Sequence, residues 1–188
     1  DITDETAVGT FFLKNQYSVL INCAAYTAVD KAESEKDIAF KINADGVGVL
    51  AKICLQHNCK FVHISTDFIF DGTNSFPIKE NEKPKPLSVY GASKLAGEEL
   101  AFAANPETLL IRTSWVYSSF GNNFVKTILK LCKERETLNI IFDQIGTPTY
   151  ARDLAAAILN IIQQDEWKRV ERLLKHRSEE HTSELQSR

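Results

Sequence analysis

The chain has 188 residues, enough for one domain or slightly more, and its 44% hydrophobic and 25% charged content excludes a fully disordered polymer. Lys and Arg number 22 against 25 Asp and Glu, a net charge of −3, so there is no basic excess for phosphate-backbone contacts and nucleic acid is not an expected partner. No apolar run approaches the roughly 20 residues of a membrane span, and no signal peptide is legible, so a membrane partner is not expected either. The chain starts at Asp1 and holds no Met, and the start of the gene product is therefore expected upstream.

Thr3 or Asp4 can cap a helix over Glu5 to Lys14. A buried-strand run follows at Ser18 to Cys23, then a long helical stretch from Ser34 to His57, and a second strand at Lys60 to Ser65. Phe76 to Leu87 holds Pro77, Pro84 and Pro86 and must be a loop. Ser88 to Ala104 is helical, Thr108 to Thr113 extended, Asn122 to Glu134 helical, Leu138 to Phe142 extended and Tyr150 to Gln163 helical. Short apolar strands alternating with helices describe βαβ units. The expected fold is α/β, a parallel sheet with helices on both faces of its strands and right-handed crossovers.

Three of the four cysteines, Cys23, Cys54, Cys59 and Cys132, fall in apolar periodic segments and read as small buried thiols in a reducing cytosol. Cys54, His57, Cys59 and His63 briefly suggest a ligand cluster. They divide between a helix end and a strand with no matching second pair, so no metal site is assigned. The final stretch, Arg177 to Arg188, has one apolar residue and no amphipathic period. It resembles the translation of sequencing-adapter read-through, and the departure begins near Trp167. The expected division is a domain over 1–167 and a non-native tail over 168–188.

Ligands in open α/β sheets bind beyond the carboxyl ends of strands. After the first strand come Ala24, Ala25 and Tyr26, small enough at the start to admit a flat ligand, or simply to pack helix on strand. After the second come Ser65, Thr66, Asp67 and Phe68, polar groups where the chain leaves the core, although Asp71-Gly72 could make this an ordinary capped turn. Tyr90 and Lys94 stand at i and i+4 on one helical face. An ammonium beside a phenol is expected to lower the tyrosine pKa from about 10, which would suit Tyr90 as a general acid. With the Thr66 hydroxyl, the set suits hydride transfer to a carbonyl.

Five segments in order, INCAAYTAVDKAE (21–33), VHISTDFIFDG (62–72), PLSVYGASKLAGE (86–98), IRTSWVYSSFGNNFVKT (111–127) and FDQIGTPTYARDLA (142–155), resemble the dTDP-4-dehydrorhamnose reductase family of extended short-chain dehydrogenase/reductases. The resemblance runs from Asp1 to about Trp167. It implies a Rossmann-type doubly wound parallel sheet with a smaller sugar-nucleotide-binding region, and a cytoplasmic oxidoreductase that reduces the C4 keto group of dTDP-4-dehydro-L-rhamnose with NADPH or NADH, in dTDP-rhamnose synthesis for polysaccharide. It also implies a dTDP-sugar substrate and a homodimer of the intact protein, and it allows Mg2+, which no residue here reads out. By the same resemblance Thr66, Tyr90 and Lys94 are catalytic, with Lys94 and Tyr90 also at the cofactor. Asp1 and Ile2 meet its adenine end, and Ala24, Ala25 and Tyr26 line it. Thr66, Phe68, Trp115 and Gln144 face the sugar nucleotide. Phe68 stands where the family commonly has Tyr.

None of the eight glycines forms GxGxxG or GxxGxxG. The front βαβ phosphate-binding unit, roughly 40 residues, and the C-terminal substrate elements are therefore expected to be missing. A polypeptide with these limits is expected to bare an apolar edge beside Ser18–Cys23, to bind cofactor poorly and to aggregate. The alternatives are another sugar-nucleotide 4-ketoreductase or epimerase, and a non-catalytic regulatory subunit resembling the methionine adenosyltransferase β-subunit.

Overall fold

Asp4 starts the first helix: its Oδ1 accepts the Ala7 N–H at 2.9 Å, and α1 runs Glu5–Lys14 with Lys14 in its last turn. The computed structural model describes residues 1–73, 76–139 and 146–163. The chain forms two compact units, one built on Asp1–Ser114 and taking in Thr147, the other on Trp115–Asn139 and the chain from Pro148.

In the first unit, β1 (Val19–Asn22), β2 (Lys60–Thr66) and β3 (Leu109–Thr113) form a parallel sheet in the order β1-β2-β3. Asn22 pairs with His63 and Thr66 with Thr113. Parallel neighbours need crossovers. The first crossover carries α2 (Val29–Ala32), α3 (Lys36–Phe40), a π-helical turn (Lys41–Asp45) and α4 (Gly46–Gln56); the second carries a 3₁₀ turn (Asp67–Ile69) and α5 (Val89–Ala104). The α/β parallel architecture is the expected one. The predicted Ser34–His57 helix differs in detail, because its interior widens at Lys41–Asp45 to admit one extra residue per turn.

Phe12 of α1, Val47, Leu50, Ala51, Ile53 and Cys54 of α4, Phe61 of β2 and Ala101 of α5 form the main core. Each large apolar side chain buried there contributes about 1.5–3 kcal/mol. Phe61, His63 and Ser65 share one face of β2 by strand alternation, and that face meets α4 and α5. β1 ends the three-strand order, and its Ile21 is 38% exposed. Beside it lies an apolar groove of about 520 Å³ lined by Ile2, Val8, Phe11, Tyr17 and Val19 among others. Cys54 and Cys59 are buried as expected, whereas Cys23 and Cys132 are exposed. Cys23 sits just beyond the end of β1, and Cys132 lies on a helix with no buried described residue.

The second unit holds the parallel pair β4 (Val116–Tyr117) and β5 (Thr149–Tyr150), with α6 (Phe124–Glu134) and α7 (Ala151–Gln163). Asn123 caps α6 through the Lys126 N–H at 3.0 Å. Trp115 holds a φ of 48°, a strained value for a bulky residue. Its ring meets Phe124 edge-on at 5.1 Å, and its carbonyl accepts from Thr149 at 3.2 Å. Residues 140–142 of the predicted Leu138–Phe142 strand, and the expected tail at 168–188, lie outside the described residues.

Candidate active site

The 3₁₀ turn after β2 and the first turn of α5 set the site. Thr66 ends β2, 6% exposed; its Oγ1 accepts the Phe68 N–H at 3.2 Å and donates to Asp67 Oδ1 at 3.1 Å. The start of α5 is pinned twice. Ser88 Oγ accepts the Gly91 N–H at 3.0 Å, and Glu33 Oε1 accepts the Val89 N–H at 2.8 Å. At Gly91 a β-carbon would come 2.2 Å from the Phe68 carbonyl oxygen, so only glycine lets α5 close on the turn. Tyr90 is thereby held against Thr66, to which it is hydrogen-bonded, and its ring meets Phe68 edge-on at 5.5 Å.

One turn on, Lys94 is 2% exposed. Its Nζ donates to the Ile64 carbonyl at 2.7 Å and lies 3.3 Å from His63 Nε2. His63, fully buried, places Nδ1 3.1 Å from Asn22 Nδ2, and Asn22 Oδ1 accepts the Ala24 N–H at 3.0 Å. A further turn along, Glu98 binds Ser65 at 2.5 Å and takes Arg112 through Nη2 at 2.7 Å and Nε at 3.1 Å, with the guanidinium 5.5 Å over the Phe70 ring. The polar stripe Lys94–Glu98 of α5 thus faces the polar pair His63–Ser65 of β2.

Burial dominates the electrostatics. It lowers Lys94 to about 8 against the pull of Glu98, and lowers His63 to about 3 with help from the Lys94 charge. The expected lowering of Tyr90 is reversed. Burial first, then the Asp67 carboxylate, push the phenol up, and the Thr66 hydrogen bond only partly opposes them. The i, i+4 spacing brings Tyr90 and Lys94 to one face, but Lys94 Nζ is engaged by Ile64 and His63 and does not act on the phenol. Burial also raises Asp67.

The loop leaving β1 is tied to the same place. Asn43, in the π turn, accepts the Tyr26 N–H at 2.8 Å and donates to the Tyr26 carbonyl and to Ser93 Oγ, both at 3.0 Å. Tyr26 Oη donates to Glu35 at 2.5 Å, and its ring joins Ala32, Ala39 and Tyr90 in a small cluster. Ala24 is exposed and Ala25 half-buried. The structure therefore gathers Thr66, Tyr90, Lys94 and Ala24–Tyr26 at the carboxyl ends of β1 and β2. Phe68 adjoins them, 42% exposed. Asp1 and Ile2 are elsewhere, on the apolar groove: Asp1 Oδ1 accepts from Thr3 at 2.9 Å, and Ile2 packs on the core beside Gly46. Trp115 belongs to the second unit, and Gln144 lies outside the described residues.

Sequence reasoning missed Asn22, Asn43 and Glu98, named Asp67 only as one of the polar residues after the second strand, and met His63 only as a rejected zinc ligand. A histidine between Val62 and Ile64 in an apolar strand was the available signal. Thr113 was missed too. Paired with Thr66, it holds the one buried side-chain polar atom without a partner among the described residues.

The profile of the RmlD substrate-binding domain matches residues 1–187. The chain belongs to the RmlD substrate-binding-domain family. Among its RmlD relatives, dTDP-4-dehydrorhamnose reductase of Aggregatibacter actinomycetemcomitans is 44% identical over 163 residues, 87% of this chain and 55% of that protein. The crystal structure of a dTDP-4-dehydrorhamnose reductase from Clostridium acetobutylicum superimposes with a TM-score of 0.84 at 46% identity, covering 89% of this chain and 59% of that one. The Bacillus anthracis reductase, solved in complex with NADP, gives 0.83 at 42% identity, covering 87% and 59%. The chain spans about half the length of the curated RmlD relatives it matches.

Proposed function

We propose that Thr66, Tyr90 and Lys94 are the catalytic set of an NAD(P)H-dependent reductase that converts the C4 keto group of dTDP-4-dehydro-L-rhamnose to the alcohol of dTDP-L-rhamnose. The observation that carries this reading is the meeting of a buried phenol, a threonine hydroxyl and a buried lysine at the carboxyl end of β2. The names of relatives more than 40% identical supply the substrate.

The residues suit a nicotinamide dinucleotide. Ala24 and Ala25 carry nothing beyond a β-carbon to obstruct a flat ring. Lys94, as amine or ammonium, keeps one N–H beyond its contacts with Ile64 and His63, and Thr113 Oγ1 offers an unused polar atom next to Thr66. Ala24, Ala25, Tyr26 and Lys94 would hold the cofactor; bound, it supplies the hydride. NADPH is favoured by the NADP held in the Bacillus anthracis relative.

Tyr90 keeps its proton on Oη, because burial and Asp67 both disfavour the phenolate. As negative charge develops on the C4 oxygen, that proton moves to it, and the Thr66 hydroxyl turns its hydrogen from Asp67 Oδ1 to the same atom. Lys94 would hold the ribose, and the Phe68 ring packs edge-on against Tyr90. Trp115 and Gln144 belong to the sugar-nucleotide side in this reading, and Asp1 and Ile2 to the adenine end. A cytoplasmic setting and a homodimer of the intact protein complete it.

The test follows NADPH absorbance with dTDP-4-dehydro-L-rhamnose, using this chain together with whatever sequence its gene adds at either end. Tyr90→Phe should lower turnover by about 10² to 10⁴, the contribution of a positioned acid. Undiminished turnover would remove Tyr90 from the mechanism.

A further inference from the structure

We propose that Asn22 and His63 are positioning residues that couple the charge of Lys94 to the imidazole tautomer of His63 and to the amide orientation of Asn22 at the exit of β1. The argument begins at the backbone. Asn22 Oδ1 accepts the Ala24 N–H at 3.0 Å, which fixes which end of the amide faces that N–H. Nδ2 is then the atom turned toward His63, 3.1 Å from Nδ1. An amide NH₂ only donates, so Nδ1 must accept, and a neutral imidazole then carries its proton on Nε2. That N–H points at Lys94 Nζ, 3.3 Å away. It can be satisfied only if Nζ has a lone pair, that is, if Lys94 is an amine.

An ammonium at position 94 needs the opposite arrangement. Nε2 must accept, the imidazole proton must sit on Nδ1, and Asn22 must present Oδ1 to it. The Ala24 N–H would then face a donor and lose its acceptor. When the pair takes up one proton, one proton is added at Nζ and the imidazole proton changes from Nε2 to Nδ1, with the ring neutral throughout. The Asn22 amide turns over, and the first residue of the Ala24–Tyr26 loop is released. Three buried residues on three elements thus form a two-state network, and its neutral-lysine state has every bond made. The low proton affinity of Lys94 agrees with this.

The other charged groups near Lys94 do not offer the same control. Glu98, on the same helix, favours the ammonium but is committed to Ser65 and to Arg112 of β3. Asp67, after β2, acts on Tyr90, one turn before Lys94. Among the described residues, Lys94 Nζ is the one group hydrogen-bonded at the Nε2 edge of His63. The catalytic consequence rests on the reading above: if Lys94 serves Tyr90 and the ribose, its charge is set from the loop that lines the cofactor.

The test needs no substrate. In the full chain labelled with [¹⁵N]His and [¹³Cε]Lys, the two-bond ¹⁵N–¹H pattern of His63 reports the tautomer and the Lys94 ¹³Cε shift reports its protonation. The expected result is an Nε2–H pattern above the Lys94 midpoint and an Nδ1–H pattern below it, with one shared midpoint near 8. A His63 tautomer that never changes across the Lys94 titration would overturn the proposal, as would two unrelated midpoints.

Asn22→Asp provides a second arm. A carboxylate can accept from both Ala24 N–H and Nδ1–H, so the Nδ1–H tautomer should persist at all pH values and the Lys94 midpoint should rise by about 1 unit or more. An Nε2–H pattern retained in this variant would also overturn the proposal. The wild-type titration stands alone if the variant does not fold. A coupled titration in a protein without reductase turnover would sink the reductase reading and leave the network intact.

Discussion

Replacing Gly97 by alanine should destabilise the protein where helix propensity predicts the reverse. Gly→Ala in a helix interior ordinarily gains about 0.5–1 kcal/mol. At Gly97, midway along α5, a β-carbon would stand 2.0 Å from the Asn43 carbonyl oxygen and 3.1 Å from its carbon. Ordinary contact begins near 3.4 Å, so α5 and the π turn must separate by about 1.4 Å, and both sides of the clash are backbone that cannot rotate away. The Asn43–Ser93 bond spans that gap, and the two Asn43 bonds to Tyr26 hang on the same amide. Overpacking costs about 1–3 kcal/mol and stranded buried polar groups about 1–3 kcal/mol. The net expectation is a loss of about 2–4 kcal/mol. Gly9, in α1 with nothing within 4 Å of its β-carbon position, is the internal control and should gain about 0.5–1 kcal/mol as alanine. Urea unfolding of the two variants beside wild type measures both signs. With a slope of about 1–3 kcal/mol/M, Gly97→Ala should lower the midpoint by about 1 M or more. A Gly97→Ala midpoint at or above wild type would refute the close approach.

Glu98→Ala strips Ser65 and the partly buried Arg112 of their shared acceptor and should cost about 3–5 kcal/mol in the same urea assay; Glu98→Leu with Arg112→Met should recover most of it. Acid should destabilise through His63. Its folded-state value, about 3, lies below the ordinary 6.5, so between those limits the unfolded chain binds the extra proton and stability falls as pH falls, by up to about 5 kcal/mol in all. Urea midpoints from pH 7 to 4 measure the loss, and His63 ring resonances should stay those of a neutral imidazole while the protein remains folded. Ser88→Ala should cost about 1 kcal/mol by freeing the Gly91 N–H, with Ser88→Gly costing a few tenths.

Much of the frame was legible from local chemistry. Asp4 followed by a periodic run places α1, and three apolar runs joined by helical stretches place a parallel sheet with its polar residues at the strand ends. Tyr90 and Lys94 share a face because i and i+4 must. What that spacing could not carry is the environment. Lys94 is drawn to a carbonyl and an imidazole on another element, so the phenol rises where proximity alone suggested it would fall. The π turn escaped because an added residue leaves the apolar pattern of the Ser34–His57 segment almost unchanged while altering which side chain points inward. β4 and β5, at two residues each, are too short for any periodicity to register.

The widened turn at Lys41–Asp45 makes the segment intolerant of tidying. Each residue of a regular helix advances about 100° around its axis, so excising one residue there would swing the Asn43 amide by more than a quarter circle. An engineer who shortened this stretch to a uniform spiral would lose the strut between the Tyr26 loop and α5. The irregularity is the part to leave untouched.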